Sequence, residues 1–486
     1  MIRSAFHLTL GQIGMAAVAI VLTGVIGRAL GPSDFGLWYL LSTTTTFVLV
    51  FVDWGYGPYI VREVAREPRR AGELLGTVLV VRAVTTLAAA LPAAFVMHLL
   101  GYSARICAFA VLLIVTSIPV LFVTSWGWAF RGRERMDFDA MVNVVLKALT
   151  LALTVALLAT GLKLAGIILA QCAGALIALF LAIRLYRKLG LPKLSVDMPT
   201  AKQLVRDAAP MFTMTLMITL QPYIDANLLT KLAPAVAVGW YGAAANLAGS
   251  LLAPAVILVA ALYPQLCRAA ADRAEFNRLA TNALRTVVFV SMLGSVGTYL
   301  FADVAIQIVY AGRGYAPAGD VLRAFAPALF LCSVDCFLGN VVLAAGRVGL
   351  FARAKAGALV VTTALVVLLI PICQHRFGSG GVGVMLACNG GELVMLGAAL
   401  WLIPHGTLDR GAAADFLRSL VAAATTILVI RVVPAPPFVA MPLAVAVYTA
   451  AALAIGLVRS SDLEMIKAAI ARKRSLAVAQ PTVSVG

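Results

Sequence analysis

Fourteen apolar stretches, each long enough to cross a lipid bilayer, run from one end of this chain to the other. A bilayer core of ~30 Å needs ~20 apolar residues in helical form. Backbone polar groups left unpaired in lipid are costly, so the spans must be helices or a closed barrel. The runs are continuous and lack two-residue alternation, which selects helices. The spans fall at 8–28, 36–57, 76–99, 106–129, 141–161, 164–186, 208–230, 236–264, 284–302, 322–344, 352–373, 381–403, 415–433 and 438–458. The chain is therefore expected to be an all-α polytopic membrane protein, and its short gaps leave no room for a soluble catalytic domain.

Composition agrees. Hydrophobic residues make up 62% and charged residues only 12%, about half the charged share of a soluble domain. The net charge of +17 is not a nucleic-acid signature, because the basic residues collect on no single arm or face. They flank the spans instead. Of the 38 lysines and arginines, all but ten fall in alternate gaps on the side that holds Arg3. Two of those ten, Arg82 and Lys147, lie deep inside spans, whereas residues at span edges such as Arg285, Arg353 and Lys355 are counted with the flanking gaps. By the positive-inside rule the Arg3 side is cytoplasmic, with both termini there. An odd span count would scramble this bias. The stretch from Leu8 to Ile26 is too long for a signal-peptide core and reads as an uncleaved first helix.

The seven cysteines, Cys107, Cys172, Cys267, Cys332, Cys336, Cys373 and Cys388, lie almost entirely in spans without CxxC pairing. Cys332 and Cys336 share a helix face and read as small packing residues. No Walker loop, nucleophile elbow or metal-ligand spacing occurs, and the four histidines are scattered. No cofactor, metal or catalytic residue is expected; the chain reads as a transporter, not an enzyme.

Transporters often contain duplicated halves. Here Phe35-Gly36-Leu37-Trp38 follows Gly31-Pro32, and Val238-Gly239-Trp240-Tyr241 follows Ala233-Pro234. Each segment opens the second span of its half. The polar gap 187–207, with Pro192 and Pro199, reads as the joint. The expected organisation is an N-lobe at 1–195 (helices 1–6), a C-lobe at 196–405 (helices 7–12), and 406–486 with helices 13–14 and a cytoplasmic tail. In that tail Ser461 and Glu464 have capping-box spacing, and Leu463, Ile466 and Ile470 share a face beside Lys467 and Arg472, as in a helix lying on the lipid surface.

Ionisable groups at membrane depth cost roughly 2.5–3.5 kcal/mol each and point to function. Arg82, Lys147, Asp53, Asp225, Asp335 and Glu392 sit within spans, and Arg28 lies near the end of the first. The cations Arg28, Arg82 and Lys147, with Arg62 just below, belong to the N-terminal half; Asp225, Asp335 and Glu392 belong to the C-terminal half. A strongly hydrated anion such as a phosphate needs arginine or lysine to replace its water, so the cations are candidates to grip substrate. The acids are candidates for a coupling proton or Na⁺, or for neutralising the bundle. Pro210 and Pro222 in the seventh span, with Gln221, Asp225 and Asn227 nearby, mark a candidate hinge.

Several segments resemble the polysaccharide-transporter, Wzx-type oligosaccharide flippase family of the MOP superfamily, which also holds the MATE exporters and the lipid II flippase. They are Gly27-Arg28-Ala29-Leu30-Gly31-Pro32 with Asp34-Phe35-Gly36; Asp53-Trp54-Gly55-Tyr56-Gly57 with Ile60-Val61-Arg62-Glu63-Val64-Ala65; Arg131 to Met136; and Gly314-Tyr315-Ala316-Pro317-Ala318 with Val321-Leu322-Arg323. The resemblance implies two six-helix lobes plus two C-terminal helices, in the bacterial inner membrane. It implies flipping, by alternating access, of an undecaprenyl-pyrophosphate-linked oligosaccharide repeat unit for exopolysaccharide or lipopolysaccharide synthesis. Membrane lipids surround such a protein, and polysaccharide polymerases and glycosyltransferases are candidate partners. By position Arg28 and Arg62 match family arginines and Asp53 the family's acid; Trp54 departs from the more common aliphatic residue. The competing reading is a MATE-like proton- or sodium-coupled drug/cation antiporter, against which the fourteen spans and basic N-terminal half argue.

Overall fold

The computed structural model describes residues 2–457 apart from 313, 405, 409 and 434; the side chains of 2–16, 210, 211, 213, 214, 217, 218, 257, 260, 261, 348 and 410 also lie outside the description. The tail helix expected around Ser461 and Glu464 falls outside the described residues. The elements are α1 (Ile2–Asp53), α2 (Tyr56–Arg66), α3 (Ala71–Leu99), α4 (Ala104–Thr116), α5 (Ile118–Gly132), α6 (Met136–Ala159), α7 (Lys163–Lys188), α8 (Met198–Leu232), α9 (Ala235–Ala269), α10 (Arg273–Tyr310), α11 (Pro317–Ala344), α12 (Val348–Phe377), α13 (Gly380–Leu402), α14 (Arg410–Val432) and α15 (Pro437–Ala454).

Twelve stretches among the described residues are long and apolar enough to cross a membrane. One of them, Ala17–Asp53, is two arms of α1 interrupted at Gly31, whose φ of 72° and ψ of 170° are not helical. Helix α8 carries Lys202, Arg206, Asp207, Gln221 and Asp225 and is not among the twelve. Counting both arms of α1 and adding α8 gives the fourteen spans expected from sequence. One expected span is broken. Pro119 follows Ile118 and has no N–H to donate, so the 106–129 stretch divides at Ser117 into α4 and α5. Large apolar side chains such as Leu91 (71% exposed) and Phe438 (77%) face outward. In water they would drive association; in a bilayer they are solvated by lipid tails.

The chain forms two compact units. The first comprises Met1–Ser250, Ala305–Val321 and Leu359–Cys388; the second comprises Leu251–Val304, Leu322–Ala358 and Asn389–Gly486. The core of the first packs Tyr56, Ile60 and Val64 of α2 against Leu74, Leu75 and Val78 of α3, Trp126 and Phe130 of α5, and Phe138 and Val142 of α6. Helix α7 contributes Ala175, Ala178 and Ala182, all fully buried on one stripe. Without a hydrophobic drive between helices in lipid, small residues at the seam let backbones approach and gain dispersion energy.

The 187–207 joint is not a free linker. Ser195 N–H donates to the Gly72 carbonyl (3.2 Å) and Asp197 N–H to the Thr77 hydroxyl (3.0 Å). Asp197 then caps α8 by accepting from Thr200 N–H (2.9 Å). The Thr200 hydroxyl and N–H hold its carboxyl below the usual carboxylate range. A Cβ on Gly76 would lie 2.3 Å from the Ser195 carbonyl oxygen. Gly76→Ala should therefore cost about 1–3 kcal/mol of stability by forced overpacking. A melting point in detergent equal to wild type would show that the joint yields.

The repeated segments meet. A Cβ on Gly36 would lie 2.8 Å from the Ala235 carbonyl oxygen and 2.8 Å from the Gly239 nitrogen; one on Gly239 would lie 1.9 Å from the Pro32 carbonyl oxygen. Pro32 stands one helical turn before Gly36, and Ala235 one turn before Gly239. Each glycine thus faces the residue that precedes its counterpart, the reciprocity expected of a contact across a two-fold axis.

The second unit has its own core. Val287 and Val288 of α10, Phe330, Phe337 and Val341 of α11, Ala399 of α13, Ala422 of α14, and Tyr448 and Ala452 of α15 form one buried cluster.

Candidate functional site

Arg82 lies three turns inside α3, fully buried. It neither snorkels nor stands free. One Nη ion-pairs with Asp53 at the end of α1. The other donates to the Leu121 carbonyl (2.6 Å), Thr124 Oγ1 (3.1 Å) and the Ser125 hydroxyl, all on α5. Its guanidinium lies 4.6 Å from the Trp128 ring centroid. The flat, five-donor fork suits this cage, and the aromatic face offsets part of the desolvation. Only Nε lacks a partner. Asp53 is the wetter partner, with 43% of its side chain exposed. The structure thus joins a predicted cation and a predicted acid into one pair.

Arg28 is exposed at the end of the first arm of α1. Its Nε donates to the Val309 carbonyl (2.8 Å) and Nη2 to the Ile308 carbonyl, in the last turn of α10. Arg62, on the exposed face of α2, pairs with Glu63 (3.1 Å) and leans over the Tyr59 ring. Lys147, on α6, is half-buried. Unlike the arginines it has no hydrogen bond or ion pair among the described residues.

Asp225, 2% exposed on α8, is held by a polar nest. Gln221 Nε2 donates to Oδ1 (2.7 Å), and Tyr241 Oη on α9 lies 3.4 Å from Oδ2, with Cys388 Sγ at 3.9 Å. Tyr39 of α1 packs edge-on to Tyr241, their centroids 5.7 Å apart. Pro222 lies in a continuous part of α8; the side chain of Pro210 is outside the description.

Asp335 and Glu392 belong to a third group in the second unit. Asp335 on α11 is 1% exposed, and its Oδ2 lies 3.6 Å from Lys355 Nζ of α12. Asp335 Oδ1 and Glu392 Oε2 are buried without hydrogen-bond partners. Lys355, expected to flank the 352–373 span at its cytoplasmic edge, is instead part of the packed helix. Helix α12 begins at Val348, so Lys355 stands two turns inside it. The segment around it, Arg353 to Gly357, lacks the large apolar residues that mark a span. Arg285 was likewise counted as flanking; it is buried inside α10 and paired with Asp415. Tyr39 and Tyr241 were overlooked because an isolated tyrosine in an apolar run carries no periodic signal.

Twelve candidate membrane spans among the described residues, a first helix broken at Gly31 and ionic groups inside both units define a multi-pass, all-α membrane protein. Solved structures share its fold. The lipid II flippase MurJ in an inward closed conformation aligns with TM-score 0.73 and 13% identity, over 94% of this chain and 99% of that one. An inward-facing multidrug-resistance MATE family transporter aligns with TM-score 0.65 and 15% identity, over 80% and 93%. A MOP superfamily transporter from Pyrococcus furiosus, described by a reversed polarity of its binding pocket, aligns with TM-score 0.55 and 16% identity, over about four-fifths of this chain and 92% of that one. The chain belongs to the polysaccharide biosynthesis protein family, whose model matches residues 1–270. No curated protein sequence matches it.

Proposed function

We propose that this protein is a flippase that carries an undecaprenyl-pyrophosphate-linked oligosaccharide across the bacterial inner membrane by alternating access. The family and the fold support a membrane carrier in polysaccharide synthesis. The lobes at 1–195 and 196–405 would alternate, with 406–486 appended and both termini cytoplasmic. Helix α8, with Pro210 and Pro222, would bend.

The observation that carries the substrate class is Lys147. An ammonium eleven residues inside a membrane helix, with no partner among the described residues, is an uncompensated cation where charge is costly. A pyrophosphate supplies the missing anion. Arg62, exposed on α2, would meet the same anion from outside the helix bundle, whereas Arg82 is occupied by its cage. The acids Asp225, Asp335 and Glu392 would carry the coupling ion, and Asp53 would set the charge of Arg82.

The test is flipping of a labelled polyprenyl-pyrophosphate sugar in reconstituted vesicles. Lys147→Met should slow the initial rate by at least about tenfold, the loss of one charge-assisted contact. Lys147→Arg should recover most of it. An unchanged rate in Lys147→Met would remove the anion-grip assignment. The unpartnered acid oxygens of Asp335 and Glu392 favour a second reading, a cation antiporter. Vesicles that exchange a cationic dye for protons or Na⁺, and leave the lipid-linked sugar in place, would select it.

A further inference from the structure

In the first unit, the early turns of α8 and the neighbouring face of α3 enclose a crevice of about 380 Å³, lined by Val81, Ala201, Lys202, Val205 and Arg206. We propose that it is a binding site for one anionic phospholipid, with the phosphodiester between Lys202 and Arg206 and a tail along α3. Such a site is independent of which substrate the protein carries.

The start of α8 is latched to α3. Ser195 and Asp197 bond to Gly72 and Thr77, and the Thr200 hydroxyl donates to Glu73. One turn further on, α8 is tied to a different neighbour. The Val205 carbonyl accepts from Trp54 Nε1 (2.9 Å), and the Trp54 ring stacks on Phe212 with centroids 4.2 Å apart. The space beside these two attachments has an apolar floor of Val81, Ala201 and Val205. Its rim is cationic. Lys202 and Arg206 stand one turn apart on α8, both exposed, and neither has a hydrogen bond or ion pair among the described residues. The neighbouring carboxylates are engaged: Glu73 with Arg70 (3.0 Å), Asp197 with the Thr200 N–H, and Asp53 with Arg82. Asp207 follows Arg206 and is turned about 100° around the helix. Two free cations over an apolar floor match a ligand with an anionic head and an apolar body.

The tail has a track. Val81, Val84, Ala88, Leu91 and Phe95 fall on one face of α3 at helical spacing, and beyond Val81 every one of them is exposed. Lipid tails solvate such a face, and here it runs on from the crevice. Val81 lies just inside the apolar stretch that begins at 76, so the long stems of Lys202 and Arg206 hold their charges at headgroup depth. There each lysine or arginine adds roughly fivefold to the affinity for an anionic lipid. The residue behind Val81 is Arg82, fully buried in its cage. The floor is closed on that side, so a headgroup seated here is resident rather than in passage.

Native mass spectrometry on the full chain in detergent, titrated with phosphatidylglycerol or phosphatidylcholine, tests the site. The wild type should take its first phosphatidylglycerol about twentyfold more tightly than phosphatidylcholine. Lys202→Gln/Arg206→Gln should lose that preference. Arg187→Gln/Lys188→Gln, which removes the same charge from the exposed last turn of α7, should keep it. Val205→Trp, which fills the crevice and keeps both cations, should lose it. A preference that survives in Lys202→Gln/Arg206→Gln overturns the site. So does one that falls equally in Arg187→Gln/Lys188→Gln, which would mean diffuse surface charge. Survival in Val205→Trp overturns the crevice as the seat. Glycerol phosphate, which has no tails, should not compete at lipid concentrations; equal competition would make this a free-phosphate site. Polyprenyl pyrophosphate that displaces phosphatidylglycerol one for one, and binds more tightly, would give the crevice to the substrate and overturn the phospholipid. Each variant should melt as the wild type does in phosphatidylcholine. If the double variant does not, Arg206→Gln alone decides: about a fivefold loss of preference supports the site, and no loss overturns it.

Discussion

Arg82→Met should cost about 3–5 kcal/mol of stability, the range for breaking a buried ion pair from one side. The cage explains why. Removing the guanidinium deprives Asp53 of its partner and leaves the Thr124 and Ser125 hydroxyls facing a thioether. Both hydroxyls fall back on the Leu121 carbonyl (2.8 and 2.9 Å), so part of the loss is recovered. Asp53→Asn should cost less than Arg82→Met, because Asp53 is partly exposed and water can take its place. Arg82→Lys should restore little. One ammonium cannot span Asp53 and the α5 acceptors while lying flat on Trp128. The Arg82→Met/Asp53→Leu double variant should recover most of the stability, since an apolar pair costs no desolvation. Melting in detergent, scored as a double-mutant cycle, checks all four. A single Arg82→Met variant as stable as wild type would return Arg82 to the list of substrate cations. The distinction matters for function, because a variant that fails to fold and one that fails to bind both stop transport.

The spans were legible because lipid imposes a length and a composition on every helix. The sequence also showed which ionisable groups lie deep, since each interrupts an apolar run. What it could not show was pairing. Arg82 and Asp53 are separated by α2 and the first turns of α3, and meet only when α3 lies beside α1. Lys355 and Arg285 were misplaced for a related reason. Helices α10 and α12 extend well past their most apolar windows, Arg273–Tyr310 and Val348–Phe377 against the shorter expected 284–302 and 352–373. A cation near a window edge reads as flanking, although the helix and its packing continue. The glycine motifs were visible as a short internal match, but only the fold shows that the two copies touch. The nest around Asp225 was half legible: Gln221 stands one turn away on the same helix, whereas Tyr241 and Cys388 come from α9 and α13.

Asp415→Ala should cost about 3–5 kcal/mol as well, and the loss should fall on the C-terminal helices. Asp415 on α14 accepts from Arg285 Nε of α10 (2.7 Å) and from Arg418 Nη1 (2.9 Å), with both Arg285 and Asp415 more than nine-tenths buried. Without the carboxylate two guanidiniums face each other, one of them buried. Repulsion then adds to desolvation. The rest of the attachment is mostly apolar, with Phe416 against Phe330 and, at the far end of α14, Arg431 Nη2 donating to Tyr299 Oη (2.8 Å). Ala422 and Ala423 of α14 and Tyr448 and Ala452 of α15 lie in the second unit's core, and Tyr448 Oη donates to the Phe289 carbonyl (3.3 Å). Alanine faces slide easily, and the Arg431–Tyr299 bond is exposed to competing solvent, so the buried ion pair is the strongest polar contact holding the register of α14. Arg285→Met/Asp415→Leu should separate these roles. Melting temperature should return toward wild type, because apolar side chains suit the site. Hydrogen exchange in 415–432 should stay faster than wild type, because nothing directional replaces the salt bridge. Wild-type exchange in that double variant would mean that packing alone sets the register and that the pair contributes only stability.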